Sequence, residues 1–159
     1  MTHETTVRVR YGEVDRMGVV YHAHYLAYVE QGRTELLRSL GRSYRDVEDA
    51  GVLLVVVDVG LQFRRPAGYD DVLRVRTRLA QAKGPRLRFE YEIERVEDGA
   101  LLATAHTTLA TTDKTGRPIR PPPELVALLS DAAPGAADGK ARTPPSVGEG
   151  SRSRGEPVR

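Results

Sequence analysis

The first alternation along the chain is "TTVRVRY", in which Val7, Val9 and Tyr11 share one parity and polar or basic residues the other, the pattern of a strand with one buried face. From about Tyr21 the period lengthens. Tyr25, Leu26, Val29, Arg33, Leu36, Leu37 and Leu40 recur at the spacing of one helical face, and Gly41 supplies a stop. Gly32 falls inside this helix at a cost of about 1 kcal/mol relative to Ala, so a close backbone approach is expected there. "SYRDVEDAG" predicts a short second helix with Ser43 as its N-cap.

"VLLVVVDVGLQF" is apolar on both parities and predicts a strand covered on both faces, with Asp58 as a polar interruption held by a structural hydrogen bond. "RRPAGYDD" is a turn, and Pro66 ends the pairing. Next, "VLRVRTRL" turns Leu73, Val75, Thr77 and Leu79 inward, and "RLRFEYEIERV" turns Leu87, Phe89, Tyr91 and Ile93 inward. A hairpin around "AKGP" that pairs Val75 with Tyr91 sets Arg74 against Glu92 and Arg76 against Glu90, as cross-strand pairing prefers. In that register Arg78 faces Arg88 beside Lys83 and Arg86, a basic cluster that is either a solvated loop or a phosphate site. "EDGA" turns the chain at Asp98 and Gly99 into "LLATAHTTLATTD", with His106 opposite Tyr91, and "PPPELVALLS" closes with a short helix. Strand, long helix and a four-strand meander make an α+β fold with one helix laid on an antiparallel sheet.

Composition sharpens this picture at the C-terminus. Residues 131–159 hold nine Gly or Pro and only Val147 and Val158 as large aliphatics, so residues 1–130 are expected to form the domain and 131–159 a disordered tail. The 159-residue chain carries 24 Lys+Arg against 22 Asp+Glu, which argues against nucleic acid as a partner. It has no cysteine, so thiolate chemistry and disulfides are excluded. No apolar run reaches the roughly 20 residues of a membrane span and none resembles a signal segment, so a cytoplasmic protein is expected.

Candidate chemistry gathers between the first strand and the long helix. Asp15 is either a solvated turn or capping residue or, beside Gly18 and the apolar Val19 and Val20, a carboxylate at a partly dry pocket. The N–H groups around His22 are free donors of the first helical turn, suited to polarising a carbonyl while the acid attacks or deprotonates water. His22 and His24, two apart, share no helical face, and no metal site is expected. Glu30 is a second candidate acid, more simply read as an i,i+3 partner of Arg33, and His106 as a hydrogen-bonded core or interface residue.

"YGEVDRMGVVYHAHYLAYVEQGRTELL" is similar to the signature of hotdog-fold acyl-CoA thioesterases of the 4-hydroxybenzoyl-CoA thioesterase type, including the bacterial branch associated with the Tol-Pal system. "FRRPAGYDDVLRVRTRL" and "TTDKTGRPIRPP" extend the resemblance over most of residues 5–130. It implies a hotdog fold, about five antiparallel strands wrapped round one long helix, assembled as a homodimer or homotetramer with active sites at the subunit interface. It places the catalytic carboxylate on Asp15, the oxyanion donor on the His22 backbone and the active-site Tyr-His pair on Tyr21 and His22. CoA phosphates would meet Arg78, Lys83, Arg86 and Arg88, with Arg64 and Arg65 as further candidates. The family pattern is broken at Glu13, Val14 and Met17, which bears on pocket shape. The implied activity is hydrolysis of an acyl-CoA to a carboxylic acid and CoA, with no cofactor beyond the CoA of the substrate. The rivals are a hotdog hydratase or dehydratase, whose Pro-rich motif after the catalytic His is missing, and an acyl-CoA-binding sensor, whose DNA-binding helical region has no counterpart before Thr5 or after Ser130.

Overall fold

Burial alternates along most of the strands as the pleat requires, and the buried face of the sheet meets one long helix. A computed structural model describes residues 2–131; the remainder of the expected tail lies outside them. In chain order the elements are β1 (His3–Arg8), α1 (His24–Ser39), α2 (Tyr44–Asp49), β2 (Leu53–Phe63), β3 (Val72–Lys83), β4 (Arg86–Arg95), β5 (Leu101–Thr112) and α3 (Pro123–Asp131). Leu73, Val75, Leu87, Phe89 and Ile93 are at most 1% exposed and pack with Tyr28, Leu36 and Leu37 of α1. No helix among the described residues is long and apolar enough to cross a membrane.

The five strands are antiparallel in the order β1-β3-β4-β5-β2. Only β3, β4 and β5 form a meander. β2 does not join β3 as a fourth meander strand but crosses to the far edge and pairs with β5, because Pro66 and the turn after it release the chain to begin β3 beside β1. One edge of β2 therefore has no partner among the described strands. Val55, Val56, Val57 and Val59 are 43–50% exposed, so the expected cover on both faces is not supplied within one chain.

Two bulges correct the expected registers. The β3–β4 hairpin turns tightly at Gly84, whose φ of 57° suits a left-handed turn position, and the ladder shifts between Leu79 and Gln81. Val75 then faces Ile93, Thr77 faces Tyr91 and Arg78 faces Glu90. The slip is two residues, so the buried parity is unchanged while the charge pairing is not. A turn wider than the two-residue Asp-Gly turn, together with a second shift between Ile93 and Glu94, sets Tyr91 against Ala105 and His106 against Glu90.

The N-terminal strand and the helix are both shorter than their patterns. β1 stops at Arg8, and Tyr11, 79% exposed, belongs to a 3-10 turn over Tyr11–Glu13. α1 begins at His24, and its buried stripe includes Tyr28 and Gly32 while Leu26 faces out. Gly32 does sit against the sheet: a Cβ there would lie 2.6 Å from Thr77 Oγ1 and 2.8 Å from Val75 Cγ1. Gly32→Val is expected to cost about 1–3 kcal/mol in urea unfolding through overpacking, and an unchanged midpoint would show that the helix can lift off β3 freely. Ser43 caps α2 as expected, its Oγ accepting from Asp46 N–H at 3.2 Å while the Asp46 carboxylate accepts from Ser43 N–H at 2.6 Å.

Candidate active site

Between β1 and α1 the chain folds into a small hairpin. Val14 bridges Val20, Asp15 N–H donates to Val19 O at 2.8 Å, and Tyr21 N–H donates to Glu13 O at 2.9 Å. Gly18, at φ 77°, makes the tip, with its N–H on Asp15 O at 2.9 Å. The hairpin is pinned to the segment after β2 by a Val19–Gly68 bridge and by Val20 N–H on Ala67 O at 2.8 Å. Loop, helix start and the end of β2 thus form one rigid corner.

Asp15 is half-buried, and one of its oxygens, Oδ1, accepts from Met17 N–H at 2.8 Å in an Asx turn. Oδ2 has no hydrogen-bond partner among the described residues. Asp15 does not cap α1: the N-cap is Ala23, which has no side-chain cap. The helix starts through His24 N–H on Tyr21 O at 2.9 Å and Tyr25 N–H on His22 O at 3.3 Å. Among the described residues nothing accepts from the His22 and Ala23 N–H groups, which leaves two backbone donors free at the positive end of a 16-residue helix.

Glu13, noted in the sequence only as a departure from the family pattern, and Tyr28, not singled out there, tie this corner to the core. The Glu13 carboxylate accepts from Tyr28 hydroxyl and from Arg10 N–H, both at 2.8 Å, and the Arg10 guanidinium stands 3.4 Å away. Burial alone raises the Glu13 carboxyl, but these hydrogen bonds and the nearby charge bring it below its ordinary value. Burial, reinforced by the Glu13 contact, pushes the Tyr28 hydroxyl well up. A lowered native pKa means that the stabilisation is complete above the ordinary value of 4.5 and is lost as pH falls through the lower native one. Glu13→Gln is therefore expected to flatten the dependence of Tm on pH between about 5 and 3, and melts that stay parallel to wild type would remove this role for the ionised carboxylate.

Exposed aromatic side chains lie on the same corner of the fold. Tyr21 is 47% exposed with its ring 4.3 Å from that of His22, and Phe63 at the end of β2 packs edge-on against buried Tyr25 at 5.1 Å. Met17 and Tyr69 are also exposed. Phe63 and Tyr69 were invisible as site residues in the sequence, because only the pinning of Gly68 to Val19 carries them to the loop.

The basic candidates separate. Arg64 and Arg65 are exposed directly after β2, with their N–H groups on Leu102 O at 2.7 and 3.1 Å, and lie at the Asp15 end of the sheet. Arg78 does not face Arg88 in an acid-free cluster; it pairs with Glu90, and Arg88 lies 3.8 Å from the same carboxylate. Lys83 and Arg86 pair at the hairpin tip, at the other end of the 12-residue β3, on the order of 30 Å from Asp15 within one chain. Arg33 and Glu30 do not pair either: Arg33 is buried and Glu30 exposed. His106 Nε2 meets Asp58 Oδ2 at 2.9 Å across β5 and β2, over Gly60, so both residues carry the structural hydrogen bond expected of them.

Residues 9–129 match the family described as the thioesterase-like superfamily. A Bacillus subtilis (strain 168) protein provisionally named acyl-CoA thioesterase YneP is 41% identical over 87 residues, spanning 55% of this chain and 63% of that protein. The acyl-CoA thioester hydrolase YbgC of Escherichia coli O6:H1 is 37% identical over 95 residues, 60% of this chain and 71% of that one. Among solved structures, a 1,4-dihydroxy-2-naphthoyl-CoA thioesterase from Synechocystis superposes with a TM-score of 0.77 at 26% identity, covering 82% of this chain and 97% of that one.

Proposed function

Because the chain belongs to the thioesterase-like superfamily and has its hotdog fold, we propose that it hydrolyses an acyl-CoA thioester to a carboxylic acid and CoA at the corner formed by the Asp15 loop and the start of α1. The observation that carries the reading is the pair of unclaimed N–H donors at His22 and Ala23, at the helix start reached by the same small hairpin that holds a carboxylate with one oxygen free. A thioester carbonyl oxygen docked on the His22 N–H gains negative charge as the carbonyl carbon is attacked, and the helix end stabilises that charge. Asp15 either takes a proton from the attacking water or attacks the carbonyl itself. In the first course the tetrahedral intermediate expels CoA thiolate; in the second CoA thiolate leaves as an acyl anhydride with Asp15 forms, and water then cleaves the anhydride to the carboxylic acid, returning Asp15. Thiolate needs little help in leaving, so the oxyanion donor carries more of the burden than an acid would. Tyr21 and His22 side chains border the docked acyl group.

The reading includes a homodimer. An apolar 11-residue edge strand with four exposed valines is the type of edge that pairs with another chain, and pairing two β2 strands antiparallel about a two-fold axis makes one continuous sheet. Such pairing sets the start of β2 in one subunit beside its end in the other. It thereby carries the partner's Lys83 and Arg86 towards the end that holds Asp15, Arg64 and Arg65, and that is the basic surface proposed for the CoA phosphates.

Free-thiol release across a panel of acyl-CoAs and acyl-carrier proteins tests the activity, and binding without release would favour a non-catalytic carrier or sensor. Arg64→Ala with Arg65→Ala is expected to raise KM for CoA esters several-fold and leave kcat nearly intact, because phosphates are the same in ground and transition states. Added salt should mimic the change. Equal damage to turnover of acyl-N-acetylcysteamine thioesters, which lack the nucleotide, would remove these arginines from the phosphate site.

A further inference from the structure

Arg33 brings into the core a charge that the fold leaves without a counter-ion. It is 6% exposed on the sheet-facing stripe of α1, and a guanidinium stays protonated at any physiological pH. Among the described residues its only side-chain hydrogen bond is a long one, Nη1 to Thr107 Oγ1 at 3.4 Å, and the buried Nε has no acceptor. No carboxylate among them lies within 4.0 Å of it, and Glu30, one turn earlier, faces solvent.

The groups around the guanidinium are hydroxyls and an aromatic ring, which can accept from it or stack on it but carry no negative charge. Tyr44 places its ring centroid 5.6 Å from Arg33 Cζ, and its buried hydroxyl has no partner. Tyr91 shares a 2.8 Å hydrogen bond with Thr107 Oγ1, and Thr77, opposite Tyr91 on β3, leaves a buried hydroxyl unpartnered. Burial holds the Tyr44 hydroxyl up at about 12 and raises that of Tyr91, in both cases against the pull of Arg33. Both remain neutral, so neither tyrosine supplies the missing negative charge. An uncompensated buried ion is strongly destabilising, and a water would accept from Nε without neutralising it.

We infer that Arg33 Nε and the Tyr44 hydroxyl form a site for one small monovalent anion, chloride in charge and size, between α1, α2 and the inner face of the sheet. The site stands apart from Asp15 and does not depend on the thioesterase reading. It makes the stability of the domain depend on halide.

Thermal unfolding of the full chain in sodium chloride and in sodium gluconate, at equal ionic strength, tests the site. Chloride is expected to raise Tm saturably, by about 4 °C or more once its concentration exceeds its Kd tenfold. Arg33→Met removes the charge and should abolish the difference. If that variant fails to fold, Tyr44→Phe, which keeps the ring and loses one donor, should weaken the apparent halide affinity. A bromide-soaked crystal of the unaltered protein should show anomalous density within hydrogen-bond distance of Arg33 Nε. Equal Tm in the two salts, or a crystal in which water or a partner subunit's carboxylate occupies that position, overturns the proposal.

Discussion

Asp15→Asn is expected to lower kcat at least about a hundredfold, the usual scale for removing a general base, while KM for acyl-CoA stays within a few-fold. Asn preserves the Asx turn to Met17 N–H, so the loop that Asp15 now makes at 2.8 Å should persist. The substitution cannot act through helix capping, because the α1 N-cap is Ala23. The His22 and Ala23 donors are also untouched, so substrate should still dock. Asp15→Glu keeps the charge and displaces it by one methylene; a large defect there too would show that placement matters as well as charge. Near-normal turnover by Asp15→Asn, with Tm unchanged, would make Asp15 a turn residue only and move the search to Glu30 or His22.

The second large effect concerns the open edge. Val57→Lys with Val59→Lys places charge on the strand proposed to join two subunits, at positions 50% and 43% exposed in the single chain. The doubly substituted protein should keep its circular dichroism, because neither residue is in the buried core. It should sediment as a monomer, whereas the wild type is expected to sediment as a dimer, and turnover should fall at least about tenfold if the partner supplies part of the site. A variant that stays dimeric would show that β2 is not the seam. A monomer with full turnover would show that one chain holds the whole site.

The alternation of Val7 and Val9, the stripe from Tyr25 to Leu37, the Ser43 cap and the inward parity of β3 and β4 are all local, and each was legible in the chain. So was the candidate acid, because Asp15, Gly18 and the helix start sit within about ten residues of one another and their relation is set by a hairpin closed over the same stretch. What the sequence could not settle were quantities that depend on an inserted residue or on distant chain. A bulge has no strong signature in residue type, yet the one after Leu79 set Arg78 against Glu90, and a turn wider than the two-residue Asp-Gly turn, together with the shift at Ile93, set His106 against Glu90 rather than Tyr91.

Periodicity thus determined which side chains face the core and that a long helix covers the sheet, since burial follows from the pleat and the helical turn alone. Tertiary structure decided which strand becomes the exposed edge, which arginines share an end of the sheet with Asp15, and that Arg33 enters the core without Glu30. Those outcomes depend on where β2 crosses and on how closely Gly32 lets α1 approach β3, and such distances are fixed only when separate segments pack against one another.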